Sequence, residues 1–192
     1  IGSPDISAGF PLPETEIRLD ASVSAAGDPD AGEILVRGPQ VMKGYFRNPA
    51  ETARTIDADG WLRTGDLGKI DEVGNLHVVG RCKELIIRGG FNVYPPEVEA
   101  ALNDHPDVIQ SAVIGNVTDG DEEILAFVQC ADPATLDQDA LAAFVAKRLT
   151  GYKRPSRIIL TTELPAAPTG KILKQKLASV FAEQLAQPAT KE

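Results

Sequence analysis

The 192-residue chain is poor in the side chains that most often build disulfides, metal centres and stacking surfaces. It holds two cysteines, two histidines, one methionine and one tryptophan, and only 5% of it is aromatic. Cys82 and Cys130 are too few for a disulfide framework and lack metal-site spacing, which favours a reducing, cytoplasmic setting. His77 and His105 sit in unrelated contexts, so no metal pair and no Ser/His/Asp or Cys/His triad is available. The carboxylates are scattered and form no glycosidase-type pair. No apolar run approaches the length of a membrane span, and no basic-then-apolar signal segment is read at the N-terminus. Basic residues are also in deficit, 19 against 28 acidic ones, for a formal charge of −9. That balance argues against a nucleic-acid surface, because phosphate binding wants clustered positive charge, but it allows one small anion pocket.

What is present is ordinary for a folded protein. Hydrophobic residues make up 43% and charged residues 24%, and the length suits one medium domain or two small ones. Ile1-Gly2-Ser3-Pro4 lacks a starting methionine, so the chain is expected to be a processed or cut end, or a piece of a longer protein.

The first eighty residues read as short strands between turns. Strands are predicted at 16–19, 33–37 and 76–79, with turn chemistry at Gly27-Asp28-Pro29-Asp30, Asp57 to Gly60 and Asp71 to Asn75. Asn48-Pro49 reads as a helix cap followed by a first-turn proline. Many short strands with glycine-rich turns predict a small barrel or distorted sheet. Beyond residue 80 the pattern becomes α+β. A strand at 85–87 is turned by Gly89-Gly90, and Pro95-Pro96 open a helix to about Asn103. Strands at 108–114 and 124–129 flank an acidic turn, Asp119 to Glu123. A helix is expected over 137–149, a strand over 156–160 and a last amphipathic helix over 171–185, followed by a loose tail around Pro188-Ala189-Thr190.

Several residues carry candidate chemistry. Asp66, directly after Gly65 at an expected strand end, suits the two hydroxyls of a ribose, and equally an Asx-type turn. Arg81 offers a cation for sugar or phosphate, or is a solvated strand-end arginine. Thr169-Gly170-Lys171 fails the phosphate-loop test, since Ile172 follows the lysine and no glycine stands five residues before Gly170. What survives is Lys171 at the head of a helix, or an ordinary surface lysine. Gly151-Tyr152-Lys153-Arg154-Pro155 is a compact basic loop that either meets an anion or merely flanks the next strand.

These pieces resemble, in order, the later motifs of a known family. They are Gly32-Glu33-Ile34 with Gly38 and Gly44-Tyr45-Phe46, then Trp61 to Leu67, then Gly80 to Glu99, then Pro165 to Lys171. The resemblance is to the adenylate-forming acyl-CoA synthetases, whose superfamily also holds peptide-synthetase adenylation domains and beetle luciferases. The wording of residues 89–99 is closer to fatty, aryl and malonyl-type CoA ligases than to peptide synthetases.

The resemblance implies an α+β architecture: a distorted, barrel-like end of a large N-terminal domain over 1–80, a hinge at 81–83, a small mobile C-terminal domain over 84–187 and a flexible tail over 188–192. It implies that a carboxylic acid reacts with ATP to give an acyl-adenylate and pyrophosphate, after which coenzyme A displaces AMP. Asp66 would bind the ribose, Arg81 would help hold the nucleotide and Lys83 would be the pivot. Lys171 would be the catalytic lysine of adenylation. Gly89 and Gly90 would face the pantetheine arm in the second step, with Tyr152 and Lys153 near the CoA phosphates. Mg2+ ligands, the acyl pocket and the phosphate loop would lie upstream, so the missing part of the N-terminal domain becomes an expected partner, covalent or not. A homodimer is compatible with this, and the chain alone is expected to be inactive. Departures are small: Cys82 falls at a variable position, Lys83 stands where Asp or Lys occurs, and Thr169 replaces a common Ser. An adenylation domain of the same superfamily, a luciferase-like oxygenase and a non-catalytic binding fragment are the alternatives.

Overall fold

A computed structural model describes residues 7–24, 29–118 and 120–186. Residues Gly27 and Asp28 of the first turn, Asp119 of the acidic turn and the expected tail lie outside the described residues. The chain divides into two compact units, Ile1–Lys83 and Glu84–Glu192.

The first unit is built on four antiparallel strands: β1 (Glu16–Asp20), β2 (Gly32–Arg37), β3 (Leu62–Ile70) and β4 (Leu76–Arg81). They hydrogen-bond in the order β1-β2-β3-β4, each pair antiparallel. The expected barrel is therefore not there. The sheet is an open meander whose outer strands do not pair with each other, and four strands are too few to enclose a side-chain-filled interior. Helix α1 (Pro49–Thr55) starts as its sequence demands: Asn48 Oδ1 accepts from the Glu51 N–H at 3.1 Å and Pro49 opens the first turn. Trp61 is buried under two guanidinium groups, Arg18 at 4.3 Å and Arg37 at 4.7 Å from its ring centroid.

The second unit opens with a small hairpin, β5 (Ile86–Arg88) and β6 (Phe91–Val93), turned by Gly89-Gly90. Helix α2 (Pro95–Asn103) follows, then a long hairpin of β7 (Val108–Val117) and β8 (Glu122–Cys130). Helix α3 (Gln138–Ala146) crosses over to β9 (Arg157–Thr161), which pairs with β8 in parallel. The chain ends in α4 (Lys174–Val180) and α5 (Ala182–Ala186). The last helix expected as one piece is thus two, and it starts three residues after Lys171. Its interruption falls at Phe181, which is buried against Phe127 with ring centroids 5.2 Å apart.

The sheet β7-β8-β9 is covered on both faces, which is why β8 reads as a nearly continuous apolar run. Ile124, Ala126, Val128 and Cys130 pack with α2, α3 and the β5–β6 hairpin through Val98, Leu102, Leu141, Val145, Ile86 and Val93. Leu125 and Phe127 turn the other way and pack with Ile159, Leu164, Leu177 and Phe181. Among the described residues no helix is long and apolar enough to cross a membrane.

Candidate functional site

In the first unit, Asp66 is not at a strand end. It lies inside β3, next to a kink made by Gly65, whose φ is +74°. A left-handed residue here breaks the β2–β3 ladder, and the register shifts between Glu33 and Leu35. Three bonds hold the irregularity in place. The Gly65 N–H donates to Glu33 Oε1 at 3.1 Å, the Thr64 hydroxyl donates to the Ile34 carbonyl at 2.8 Å, and the Asp66 N–H donates to Thr64 Oγ1 at 3.1 Å. Glu33 is buried, and its carboxylate is also paired with Arg63, which donates in turn to Asp20 Oδ2 at 2.7 Å.

Asp66 and Arg81 are register partners across β3 and β4, and Arg81 Nε donates to Asp66 Oδ1 at 2.9 Å. Both side chains remain open to solvent, 38% and 55% exposed. One carboxylate oxygen is oriented by the guanidinium and the other keeps its lone pairs for an outside donor, which is the chemistry a pair of sugar hydroxyls requires. Cys82 follows, half-buried; burial foremost, and then the charge of Glu33, pushes its thiol up. Lys83 is exposed in a single 3-10 turn, Cys82–Glu84, and its ammonium has no ion-pair partner among the described residues.

In the second unit, Gly89 and Gly90 have φ of +58° and +78°, the left-handed pair that a two-residue hairpin turn requires. The acidic turn clasps this hairpin. Asp121 Oδ1 accepts from the Gly89 N–H at 2.8 Å, and Glu122 Oε2 accepts from the Ile87 N–H at 3.3 Å. The Gly89 bond is the main reason the Asp121 carboxyl is held below the usual range. Tyr152, in the 3-10 turn Gly151–Lys153, stacks on Phe91 at 4.7 Å. The structure thus joins the glycine hairpin to the Tyr152-Lys153 loop. Lys153, however, is already engaged: its Nζ donates to both Glu97 oxygens, at 2.7 and 2.8 Å.

Lys171 is on a turn, not a helix. The Gly170 N–H donates to the Ala167 carbonyl and the Ala167 N–H to the Lys171 carbonyl, each at 2.8 Å. Lys171 is exposed, and its ammonium has no ion-pair partner among the described residues. Three residues on, Lys174 is placed very differently: its Nζ sits 2.8 Å from Glu84 Oε2 and 2.8 Å from Glu99 Oε1. Neither this cluster nor the Glu33–Arg63–Asp20 network was legible beforehand, because their members are far apart in sequence and carry no motif of their own. Among the described residues no group of three or more His, Cys, Asp or Glu side chains could hold a metal ion.

Residues 97–171 match the family described as AMP-binding enzyme C-terminal domain. The chain belongs to the AMP-binding enzyme superfamily. Curated relatives at more than 40% identity include CoA ligases. It is 46% identical over 155 residues to 4-coumarate–CoA ligase 1 of Arabidopsis thaliana, covering 80% of this chain and 28% of that protein. It is 43% identical over 175 residues to the long-chain-fatty-acid–CoA ligase of Bacillus subtilis, covering 89% of this chain and 31% of that protein. ATP-bound MatB from Rhodopseudomonas palustris is similar at a TM-score of 0.79 and 36% identity, over 93% of this chain and 36% of MatB. The chain therefore spans about a third of the length of the AMP-binding enzymes it matches.

Proposed function

We propose that this chain is part of an ATP-dependent acyl-CoA ligase. The observation that carries the reading is its likeness, over four fifths or more of its length, to CoA ligases for unlike acids. The first unit is the end of a large adenylating domain, and the second is the small C-terminal domain that moves about Lys83 between the two steps.

In the first step the substrate carboxylate oxygen bonds to the α-phosphorus of ATP and pyrophosphate leaves. Asp66, oriented by Arg81, accepts from the ribose hydroxyls. Lys171 supplies a positive charge where charge builds on the reacting phosphoryl group, and its exposed ammonium, with no ion-pair partner among the described residues, suits that task. In the second step the CoA thiolate bonds to the acyl carbon and AMP leaves. Gly89 and Gly90 allow the thiol arm close approach, since a Cβ-free turn presents only backbone. Tyr152 offers an aromatic face nearby; Lys153 contacts CoA phosphates only by exchanging its bonds to Glu97. Mg2+ is held by parts of the full-length protein beyond this chain, as is the acid-binding pocket. Free thiols at Cys82 and Cys130 fit a cytoplasmic enzyme.

The test is Lys171→Ala in the full-length protein. Pyrophosphate release from ATP and a carboxylic acid should fall by about 10²- to 10³-fold, while thioester formation from preformed acyl-adenylate and CoA persists. Undiminished pyrophosphate release would overturn the assignment.

A further inference from the structure

Lys174 is a poor choice for the place it occupies. It is the first residue of α4, where the helix dipole disfavours a cation, and the preceding Leu173 makes no side-chain cap. Local folding does not explain it, and its long-range contacts do. The Lys174 side chain is only 24% exposed, and its ammonium lies between two carboxylates from distant parts of the second unit. Glu84 is the residue immediately after Lys83, and Glu99 belongs to α2. Glu99 is itself fixed, because its Oε1 also accepts from the Val113 N–H of β7 at 2.8 Å. One ammonium therefore ties the start of α4 to the first residue of the unit and to its central sheet.

The segment this tie restrains carries Lys171. Residues 165–173 close on themselves: the Leu173 N–H donates to the Pro165 carbonyl at 2.7 Å and Ala166 bridges to Ile172. The loop moves as a piece with its base, and Lys174 is the base's charged anchor. Resting on the function proposed above, we propose that Lys174 is a positioning residue for adenylation, acting through Glu84 and Glu99 to fix where Lys171 stands relative to the residue after the pivot. Without it two carboxylates face each other with no counter-ion, and the Lys171 turn is released.

The experiment uses the full-length protein, ATP and a panel of aliphatic and aryl carboxylic acids read by pyrophosphate release, keeping whichever acid turns over. Lys174→Met should lower the adenylation kcat about 10- to 100-fold, the scale of a catalytic group displaced by about an ångström, with ATP KM nearly unchanged. Thioester formation from preformed adenylate should stay within about threefold, and Lys174→Arg, whose fork can span both carboxylates, should recover most of the adenylation rate. Glu84→Gln, which leaves the helix sequence intact, should show the same selective loss and serves if Lys174→Met fails to fold. An unchanged adenylation kcat, an equal fall in both half-reactions, or no rescue by arginine would overturn the proposal. If Lys171→Ala abolishes adenylation while Lys174→Met and Glu84→Gln do not, only the positioning role fails. If Lys171→Ala leaves adenylation intact, the proposed function itself fails.

Discussion

Asp66 and Arg81 face one another across β3 and β4, joined at 2.9 Å, although neither is paired tightly enough to leave solvent. The guanidinium fixes the carboxylate plane without consuming both of its oxygens. If that plane holds a ribose, Asp66→Ala should raise the ATP KM of the full-length enzyme about tenfold or more with a smaller change in kcat. Arg81→Gln should act in the same direction. Pyrophosphate release at varied ATP separates the two parameters.

Glu33 supports that arrangement from below, receiving Arg63 and the Gly65 N–H together. Removing it leaves a half-buried donor and an arginine without its inner partner. Glu33→Ala should destabilise the protein by about 1–3 kcal/mol, and Glu33→Gln by less, since its amide oxygen still accepts from Gly65. Urea unfolding, read by the fluorescence of Trp61, measures both.

At Gly89 an added Cβ would meet nothing within 4 Å, so space is not the constraint. Its φ of +58° is. Gly89→Ala should therefore cost about 1–2 kcal/mol purely through backbone conformation, and Gly89→Asn less, because asparagine tolerates the left-handed region. Thermal unfolding midpoints should rank the two in that order. A reversed order would point to a contact rather than a conformation.

Asp20 carries a pH signature. Hydrogen bonds from Ser22, and then from Arg63, hold its carboxyl down to about 2, from an ordinary value of 3.8. The folded protein binds this proton more weakly than the unfolded chain, so the stabilisation is complete above about pH 4 and is lost as pH falls through about 2. The unfolding midpoint of the protein should exceed that of Asp20→Asn near neutrality, and the gap should close across that acid window.

Thiol chemistry offers a further check. Burial raises the pKa of both Cys82 and Cys130, so neither supplies much thiolate at neutral pH. Iodoacetamide should alkylate Cys82 more slowly than a free cysteine, and half-buried Cys82 faster than buried Cys130. Peptide mass mapping over time resolves the two sites.

Much of this architecture is written locally. The Asn48 cap, the Pro95-Pro96 helix start and the short apolar runs of β2 and β9 act over a few residues, so pattern alone finds them. Three features escaped for physical reasons. Gly65 looks like a strand end because glycine usually marks one; here a bulge lets the strand continue through Asp66. Apolar spacing predicts one helix over 171–185, yet the Ala166–Ile172 bridge holds Lys171 in a turn and the helix is interrupted at Phe181, a residue buried in the core. Glu84, Glu99 and Lys174 are polar residues in unremarkable settings, and only the fold makes them neighbours. The barrel expectation failed for a related reason: short strands with glycine turns describe a meander as well as a closed sheet, and closure depends on strands meeting across the whole chain.

The two-faced sheet of the second unit makes its final helices a cover as well as a mount. A premature stop codon just after Lys174 would keep every residue assigned to chemistry or to its positioning, yet remove Leu177 and Phe181 from over Leu125, Phe127 and Ile159. The product would carry an apolar sheet face into water, and such faces self-associate. Truncation at this point should thus be found as insoluble protein before it is found as slow enzyme.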